Sequence, residues 1–559
     1  MIDNAVNVSL GGSFMLNAGI CGFIRFLEHN NATEGTDYEI NGQTISINPD
    51  YIRNSDIPAL YVKTMAEIFE PSTKFYRVIN ERFEIEKLNN DLENADEKQK
   101  KRLNELYKNF SDLMLKASYV SLYKQLPEYE NITPVTKEMA EAFKKTSDLN
   151  EKFEKYKEIT NILSQEKLKN LLIYTELIYT TFKLFFNENP QSKKITCLCD
   201  SRKYETTFEQ GFVAPFLEEA EIEDKKKTSC CIECLNGMSA KHKRAFSFLV
   251  DTTDDLNRKK SYYWQCKPDA YVCPVCGLMY AFIPLGFAIM GTDAVFINSN
   301  SSIESLCNIM NTQREKTDDE SNKSIRRRIM RTFTSEKIDA LNKTTGNIQV
   351  IIRSPEISHF KFDVIDKALI SGLNKGKKYL SMLEKRWISA DAQSFVSVYD
   401  MVFDRILGHL SLYPVIDKVL KLEIDKSSSI NYLKGILRLE IIFNGGKQMD
   451  ELNKKVDAAF QSGKALRRSI LGKDADIETA EDDNRLRGFV YRLVNLASVG
   501  DCPQFIDTVI RIYAGFNLTI PPVFKDCYKS EQMFKAIAHG FILGLKYVKF
   551  TENNETKGE

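Results

Sequence analysis

The chain has 559 residues, of which 43% are hydrophobic and 28% are charged, as in ordinary soluble globular proteins. Single hydrophobic cores rarely grow past a few hundred residues, so this length predicts about three domains. Lysine plus arginine equals aspartate plus glutamate at 77 each, so any polyanion-binding surface must come from local clustering and not from the net charge.

The sequence lacks the signals of secretion and of membrane insertion. It does not open with a basic segment followed by an apolar one. Its most apolar run, residues 280–290, is interrupted by Pro284 and Gly286, whereas a bilayer span takes about 20 apolar residues. We therefore expect a cytoplasmic protein without a membrane partner, in which thiols stay reduced.

Residues 1–195 are predicted to form an N-terminal α+β domain. Apolar residues at helical spacing over 16–27 predict an amphipathic helix. Alternating residues over 38–47 flank Asn41-Gly42, a pair that tolerates the positive φ of a type I′ turn. This segment therefore predicts a β-hairpin that turns at the Asn-Gly pair.

Long helices are predicted over residues 58–186, which are rich in Lys, Glu, Leu and Tyr. Two strand-like runs, 347–353 and 359–364, predict short strands within residues 291–400, which we assign to the remainder of the N-terminal domain. From about Asp366 onward the pattern is helical to the end of the chain.

Residues 401–559 are predicted to form a C-terminal antiparallel helical bundle. Two apolar stripes at helical spacing carry this prediction: Leu486, Phe489, Val490, Leu493, Val494 and Ala497, and then Phe505, Ile506, Val509, Ile510 and Tyr513. Residues 445–449 can be encoded with a GGAGG ribosome-binding sequence just before the Met449 codon. Translation from that codon would yield a second, shorter product that contains both stripes.

Eight of the twelve cysteines lie between residues 197 and 276. Cys231 and Cys234 form one Cys-x-x-Cys pair, and Cys273 and Cys276 form another. Two intervening residues let a tight turn aim both sulfurs at one point, and two such turns complete the tetrahedron that Zn²⁺ prefers. We predict a structural zinc ion in a zinc-ribbon-like insert over residues 196–290, so the fold class is α+β, mainly helical.

The ligand set leaves alternatives open. Cys230 could replace Cys231, and His242, which lies among basic residues, is expected at the surface. Three further thiols are either additional ligands or spare: Cys197, Cys199 and Cys266. A thioredoxin-like redox pair would need one such motif in a βαβ setting, which the sequence does not show.

No catalytic motif is visible. None of the five histidines is adjacent to an aspartate, and neither a phosphate-binding Gly-x-x-x-x-Gly-Lys-Ser/Thr loop nor His-Glu-x-x-His nor Gly-x-Ser-x-Gly occurs. A site closed by four thiolates leaves no coordination position for water. We therefore expect a protein that is not an enzyme.

Clusters of basic residues are candidate nucleic-acid contacts, because ammonium and guanidinium groups on one face can pair with phosphates and release counterions. The alternative at each cluster is a solvated face that nearby acids balance, such as those of residues 474–483. The candidates are Lys241, Lys243 and Arg244 in the insert, Arg326, Arg327 and Arg328 at a predicted helix start, and Lys464, Arg467, Arg468, Arg485 and Arg492 in the bundle.

Three features in this order resemble one known family. Residues 16–25 read Leu-Asn-Ala-Gly-Ile-Cys-Gly-Phe-Ile-Arg, the two Cys-x-x-Cys pairs follow, and residues 483–493 contain Asp-Asn-Arg-Leu-Arg-Gly and Tyr-Arg-Leu. The chain thereby resembles, over nearly its whole length, the CXXC–CXXC family of CRISPR-associated proteins. These are large subunits of type I-B Cascade interference complexes. The extra thiols Cys199 and Cys230 depart from the family pattern.

The resemblance implies a function in DNA surveillance. Such a subunit inspects duplex DNA for a protospacer-adjacent motif, stabilises the R-loop and recruits a separate helicase–nuclease. The implied partners are the crRNA, the target double-stranded DNA, and the backbone, crRNA-end-binding and small subunits of the complex. In related subunits the N-terminal domain reads the adjacent motif, where Asn4, Asn7 and Ser9 are candidates unless the terminus is disordered. The alternative functions are a generic zinc-ribbon nucleic-acid-binding protein and a nuclease.

Overall fold

The computed structural model describes residues 2, 4–186, 204–223, 226–245, 248–250, 271–314, 329, 348–355, 359–391, 394–422, 432–472 and 484–547. The protein divides into two units. The first comprises Met1–Glu315 and Thr344–Phe362, and the second comprises Lys316–Lys343 and Asp363–Glu559. The predicted class, α+β and mainly helical, is confirmed.

Helices dominate the first unit. Its α-helices are α1 (Phe14–His29), α2 (Pro49–Asn54), α3 (Ile57–Phe69), α4 (Lys74–Asn80), α5 (Arg82–Asn90), α6 (Glu97–Met114), α7 (Ala117–Tyr123), α8 (Lys137–Lys145), α9 (Leu149–Leu163), α10 (Glu166–Tyr179), α11 (Tyr204–Phe208), α12 (Ala214–Ala220), α13 (Pro274–Ala281), α14 (Ile283–Gly286) and α15 (Ile303–Arg314).

Small antiparallel sheets accompany these helices. The strands are β1 (Val6–Ser9), β2 (Tyr38–Asn41), β3 (Thr44–Ile47), β4 (Ser229–Cys230), β5 (Gly237–Met238), β6 (Arg244–Ala245), β7 (Tyr271–Val272), β8 (Ala288–Met290), β9 (Asp293–Asn298), β10 (Ile348–Arg353) and β11 (Lys361–Ile365). One sheet has the order β1-β3-β2, another has the order β11-β10-β9-β8, and β4-β5 and β6-β7 are two-stranded. The chain leaves the first unit within β11.

The predicted β-hairpin forms, with its turn shifted by one residue. Asn41 is still paired, with Thr44, so Gly42 and Gln43 are the two central residues of the turn. Gly42, the first central residue, has a left-handed φ of 61°, whereas Gln43, the second, does not have a positive φ. The pairing of Ile40 with Ile45 fixes this register, because both apolar side chains must share one face of the sheet.

Helix α1 is the centre of the first unit. Ser13 caps its N-terminus, and its residues from Met15 to Ile24 are buried on all sides, more than the predicted single stripe. Gly19 and Gly22 let the helix approach α13 and α14 closely. A Cβ on Gly22 would lie 2.0 Å from the carbonyl oxygen of Phe282, which is far inside van der Waals contact.

The second unit is the predicted helical bundle with one addition. Its helices are α16 (Lys367–Ser381), α17 (Val398–Leu407), α18 (Tyr413–Leu422), α19 (Tyr432–Asn444), α20 (Met449–Leu471), α21 (Asn484–Val499), α22 (Cys502–Gly515) and α23 (Glu531–Leu545). The prediction of helix throughout this region was wrong at β12 (Trp387–Asp391) and β13 (Ser394–Ser397), which form an antiparallel hairpin. Alternation around Ile388, which is buried, outweighs the helical pattern there.

Glycines bring the helices of the second unit together. Helices α20 and α23 pack through Gly463 and Gly544, whose Cα atoms each lie about 3 Å from where the other's Cβ would stand. Helix α16 packs on α19, where Gly372 faces the ring of Phe443. Residues 363–400 thereby belong to the second unit, whereas the sequence prediction ended the N-terminal domain at residue 400.

The two predicted stripes face the interior at most positions, although Phe489 and Ile506 are half-buried and Ile510 is exposed. Leu486, Val490 and Leu493 of α21 are fully buried, as are Phe505 and Val509 of α22. Ile510 is 42% exposed, and Ile512 is buried in its place. Among the described helices, none is both long enough and apolar enough to cross a bilayer.

Candidate functional site

The four predicted metal ligands come from two turns. Cys231 follows β4 directly, and a tight turn that accepts a hydrogen bond from the Leu235 N–H at the Cys231 carbonyl brings Cys234 back toward it. Leu235 adopts a left-handed φ of 60° to close this turn. Cys273 is the N-cap of α13, and its sulfur accepts from the backbone N–H of Cys276 at 3.4 Å.

Backbone hydrogen bonds hold the two turns against each other. The N–H of Ile232 donates to the carbonyl of Tyr271, and the N–H of Cys273 donates to the Cys231 sulfur at 3.3 Å. An N–H directed at sulfur stabilises the thiolate over the thiol. The turns are therefore oriented by the polypeptide itself, with the sulfurs converging between them.

The sulfur distances fit a tetrahedral ion. Sγ of Cys231 lies 3.9 Å from Sγ of Cys276, and Sγ of Cys234 lies 3.7 Å from Sγ of Cys273. All four sulfurs lie within 4.8 Å of one another. A tetrahedron with Zn–S bonds of about 2.3 Å has edges of about 3.8 Å. The cluster can hold a metal ion, and its four thiol donors suit Zn²⁺.

Hydrogen bonds among the four thiols shift their pKa values in opposite directions. Hydrogen bonding with Cys234, and then with Cys273 and Cys276, holds the pKa of Cys231 far below its ordinary value. Hydrogen bonding with Cys231 raises the pKa of Cys273 and that of Cys276. A divalent cation among the four sulfurs would draw off the remaining thiol protons.

The alternatives for the ligand set are resolved in part. Cys230 is exposed and its thiol contacts the carbonyl of Leu235, so it lies outside the cluster that contains Cys231. Cys197, Cys199 and Cys266 lie outside the described residues. The His242 side chain is only 7% exposed, contrary to the surface position expected. It lies between the carboxylates of Glu218 and Glu219, at 2.8 and 2.9 Å.

The basic residues of the insert differ in accessibility. Lys241 and Lys243 are exposed, and Lys241 pairs with Glu218 at 2.8 Å. Arg244 is half-buried, with its guanidinium 4.5 Å from the ring of Phe212 and a hydrogen bond to a backbone carbonyl. Arg244 therefore packs within the fold and presents less of its charge than the two lysines.

In the second unit one candidate is an interior residue. Arg467 is fully buried and donates to the carbonyl of Leu545 at 2.9 Å, so its assignment as a nucleic-acid contact was wrong. The neighbouring Arg468 is exposed. Arg467 falls four residues after Gly463, where the close approach of α20 and α23 encloses the guanidinium. Arg467 lies within the apolar stripe of α20, and this position in the sequence pattern could have predicted its burial.

The other basic candidates of the bundle lie at its surface. Arg485 and Arg492 are exposed on the face of α21 opposite its apolar stripe, together with Tyr491. Helix α21 contains no acidic residue. Lys464 lies 3.7 Å from the ring of Tyr547. Three further candidates lie outside the described residues: Arg326, Arg327 and Arg328.

Asparagines line a cleft beside the cysteine cluster. Asn4, Asn7 and Asn236 surround a cavity of about 490 Å³ that Lys227 and the Cys234 ligand also line. Asn7 belongs to β1, and Asn4 precedes this strand in a turn. Ser9 takes no part in the cleft, since its hydroxyl is hydrogen-bonded to that of Thr44 at 2.7 Å. Three amides in one cleft can donate to and accept from base edges.

Comparison with known proteins identifies the cysteine region. Residues 224–288 match the family model described as CRISPR-associated protein (Cas_CXXC_CXXC). The match supports a component of a CRISPR system. It contains all four sulfurs of the cluster and the exposed lysines of the insert. The comparisons with curated proteins and with solved structures gave no significant match.

Proposed function

We propose that this protein is the non-catalytic large subunit of a type I-B CRISPR surveillance complex. In this function it binds the crRNA-containing assembly in the cytoplasm, reads the protospacer-adjacent motif in target DNA, stabilises the R-loop and recruits a separate helicase–nuclease. The observation that carries the proposal is the closed four-cysteine cluster within the segment that matches the CRISPR-associated family.

The chemistry of the cluster supports a structural ion over a catalytic one. Four sulfurs at tetrahedral spacing occupy every coordination position of Zn²⁺. A metal-dependent nuclease needs an open position for water or phosphate. The ion would therefore hold the two turns together, and DNA cleavage would belong to a partner.

The adjoining cleft supports a reading function. Asn4, Asn7 and Asn236 can each form two hydrogen bonds to a base edge, as asparagine does with adenine in the major groove. Lys227 in the same cleft supplies a positive charge for the backbone. Base-specific and backbone contacts in one place are what recognition of a short duplex motif requires.

Co-purification tests the assembly. A tagged chain, expressed with its neighbouring genes, is expected to carry one crRNA and several partner subunits. Cys231→Ser with Cys276→Ser is expected to lose both, whereas Cys230→Ser, which changes an exposed thiol outside the cluster, is expected to retain them. Recovery of a single polypeptide on heterogeneous nucleic acid would favour the alternative, a generic zinc-ribbon nucleic-acid-binding protein.

A library of target duplexes with randomised flanks tests the reading function. The wild-type complex is expected to enrich one short motif. Asn7→Ala or Asn236→Ala is expected to flatten that preference with little loss of overall binding, because each bidentate contact discriminates by about 1–3 kcal/mol. Asn104→Ala, on the exposed face of α6, is the matched control. An unchanged preference in both cleft variants would remove the cleft from motif reading.

A further inference from the structure

A second cleft of the first unit brings together cations that are distant in sequence. Its volume is about 550 Å³, and it lies where α4, the end of α10, the β8–β9 turn and β10 meet. Four cationic side chains line it: Lys74, Arg77, Lys183 and Arg353. None of them belongs to the basic clusters that the sequence indicates.

Among the described residues that line this cleft, one carries a carboxylate, and that carboxylate is already engaged. Glu176 is 4% exposed, and its two oxygens accept from the backbone N–H groups of Lys74 and Phe75 at 2.8 and 3.3 Å. The hydroxyl of Tyr119 donates to it as well, at 3.1 Å. The carboxylate therefore positions the start of α4 and is turned toward the backbone. The described residues that line the cleft thus carry four cationic groups and one carboxylate, which favours an anionic ligand.

One cation of the cleft is held rigidly. Arg353 is 9% exposed, and its guanidinium lies 5.0 Å from the ring of Phe360 on the same strand-to-strand connection. Because Arg353 is this buried at the wall of the cleft, its side chain is held in one conformation. Its planar group suits bidentate contact with phosphate oxygens.

An aromatic surface lies next to these cations. Tyr179, the last residue of α10, is 43% exposed, and the ammonium of Lys183 lies 5.3 Å from its ring. Exposed aromatic rings beside cations are how proteins bind single strands, because bases stack on the ring while cations follow the backbone. In a duplex the bases are paired and stacked on one another, so they would not be available to stack on the ring of Tyr179.

We propose that this cleft binds single-stranded nucleic acid, with its four cationic side chains on the phosphates and a base stacked on Tyr179. The inference deepens the proposed function and rests on it, because a displaced or guide strand is the polynucleotide that such a subunit meets. Sequence reasoning missed the site because its cations come one or two at a time from three separate segments of the chain.

Fluorescence anisotropy with the purified full-length chain tests the proposal. The probes are a labelled single-stranded oligonucleotide of mixed sequence and an abasic oligonucleotide of the same length, which keeps the phosphates and lacks the bases. Lys74→Gln with Lys183→Gln removes two cleft charges. The matched control, Lys108→Gln with Lys124→Gln, removes two exposed charges that do not line the cleft.

The cleft variant is expected to bind both probes about tenfold more weakly, with a salt slope smaller by about 1.4, since each phosphate contact on a single strand contributes about 0.7. The control is expected to match the wild type. Tyr179→Ala is expected to abolish the preference for the base-containing probe, about fivefold or more, while Tyr179→Trp preserves it.

Each other outcome refutes a distinct statement. Equal losses in the cleft and control variants would show that only overall charge matters and would overturn the cleft. A wild type without preference between the probes would overturn the stacking and leave a simple phosphate site. If the cleft variants lose strand binding while co-purification with crRNA fails, the cleft stands and the assembly proposal falls. A wild type that binds neither probe would overturn the cleft, and co-purification alone would then decide the assembly proposal.

Discussion

Replacement of Cys276 by serine, with removal of the metal by a chelator as the parallel perturbation, tests whether the four sulfurs hold an ion. Serine keeps the size of the side chain and removes a soft, easily deprotonated ligand. We expect metal analysis of the wild-type chain to give one zinc per chain, and that of the variant to give far less. Because the cluster ties two turns that are distant in sequence, the loss should also lower stability.

The magnitude follows from the loop that the ion closes. Cys234 and Cys273 are 39 positions apart, and a cross-link over such a loop reduces the entropy of the unfolded chain by an amount worth about 4 kcal/mol. Unfolding entropy is about 2.1 cal/mol/K per residue, so for a unit of roughly 330 residues this corresponds to a fall of about 6 °C in the transition temperature.

Thermal unfolding followed by circular dichroism, with and without chelator, measures this difference. The wild type is expected to lose about 6 °C on chelation, and Cys276→Ser is expected to start low and to change little. Cys230→Ser, whose thiol is exposed and outside the cluster, is expected to behave as the wild type. A wild type that contains no zinc, or whose transition ignores the chelator, would refute the reasoning.

Three further predictions concern a glycine contact, the basic residues of the bundle and internal translation. Gly22→Ala is expected to destabilise the first unit by about 3 kcal/mol or more, because the added Cβ meets rigid backbone at 2.0 Å, whereas Gly11→Ala, which meets nothing within 4 Å, should leave the thermal transition unchanged. Arg467→Ala is expected to lower the unfolding free energy by about 2 kcal/mol without changing nucleic-acid affinity. Arg485→Ala is expected to leave the unfolding free energy unchanged and to weaken nucleic-acid binding, as measured in a titration against salt. Met449→Ile is expected to abolish a short product spanning 449–559 on an immunoblot of the C-terminus, and a short product that persists would dispose of internal initiation.

Local periodicity was sufficient to predict elements whose environment repeats along the chain. The stripe from Leu486 to Ala497 is buried apart from the half-buried Phe489, and the alternation around Asn41 and Gly42 located a hairpin to within one residue. The cysteine spacing likewise located the cluster, because two residues between thiols impose a tight turn wherever the pair lies. In each case the determining interactions are local.

Interactions between distant segments could not be predicted in this way. The burial of Arg467 depends on two helices that approach through Gly463 and Gly544, and the hydrogen bond from Arg467 to Leu545 joins residues 78 positions apart in sequence. The β12–β13 hairpin lacks a Gly or Pro turn signal, so its short alternation was read as helix. The cationic cleft exists only because the fold gathers residues from 72 to 355.

The cysteine cluster and helix α1 are linked through α13. Cys273 caps the start of α13, and the same helix supplies the Met279 carbonyl that lies 2.4 Å from where a Cβ on Gly19 would stand. Strand β1, which carries the asparagine cleft, also contacts α13. Loss of an ion from the cluster would release the first turn of α13, and the packing surface of α1 and one wall of the cleft would then lose their common support. Motif discrimination should therefore fail at lower chelator concentrations than global unfolding requires, because the cleft depends on that turn while the remaining core of the unit does not.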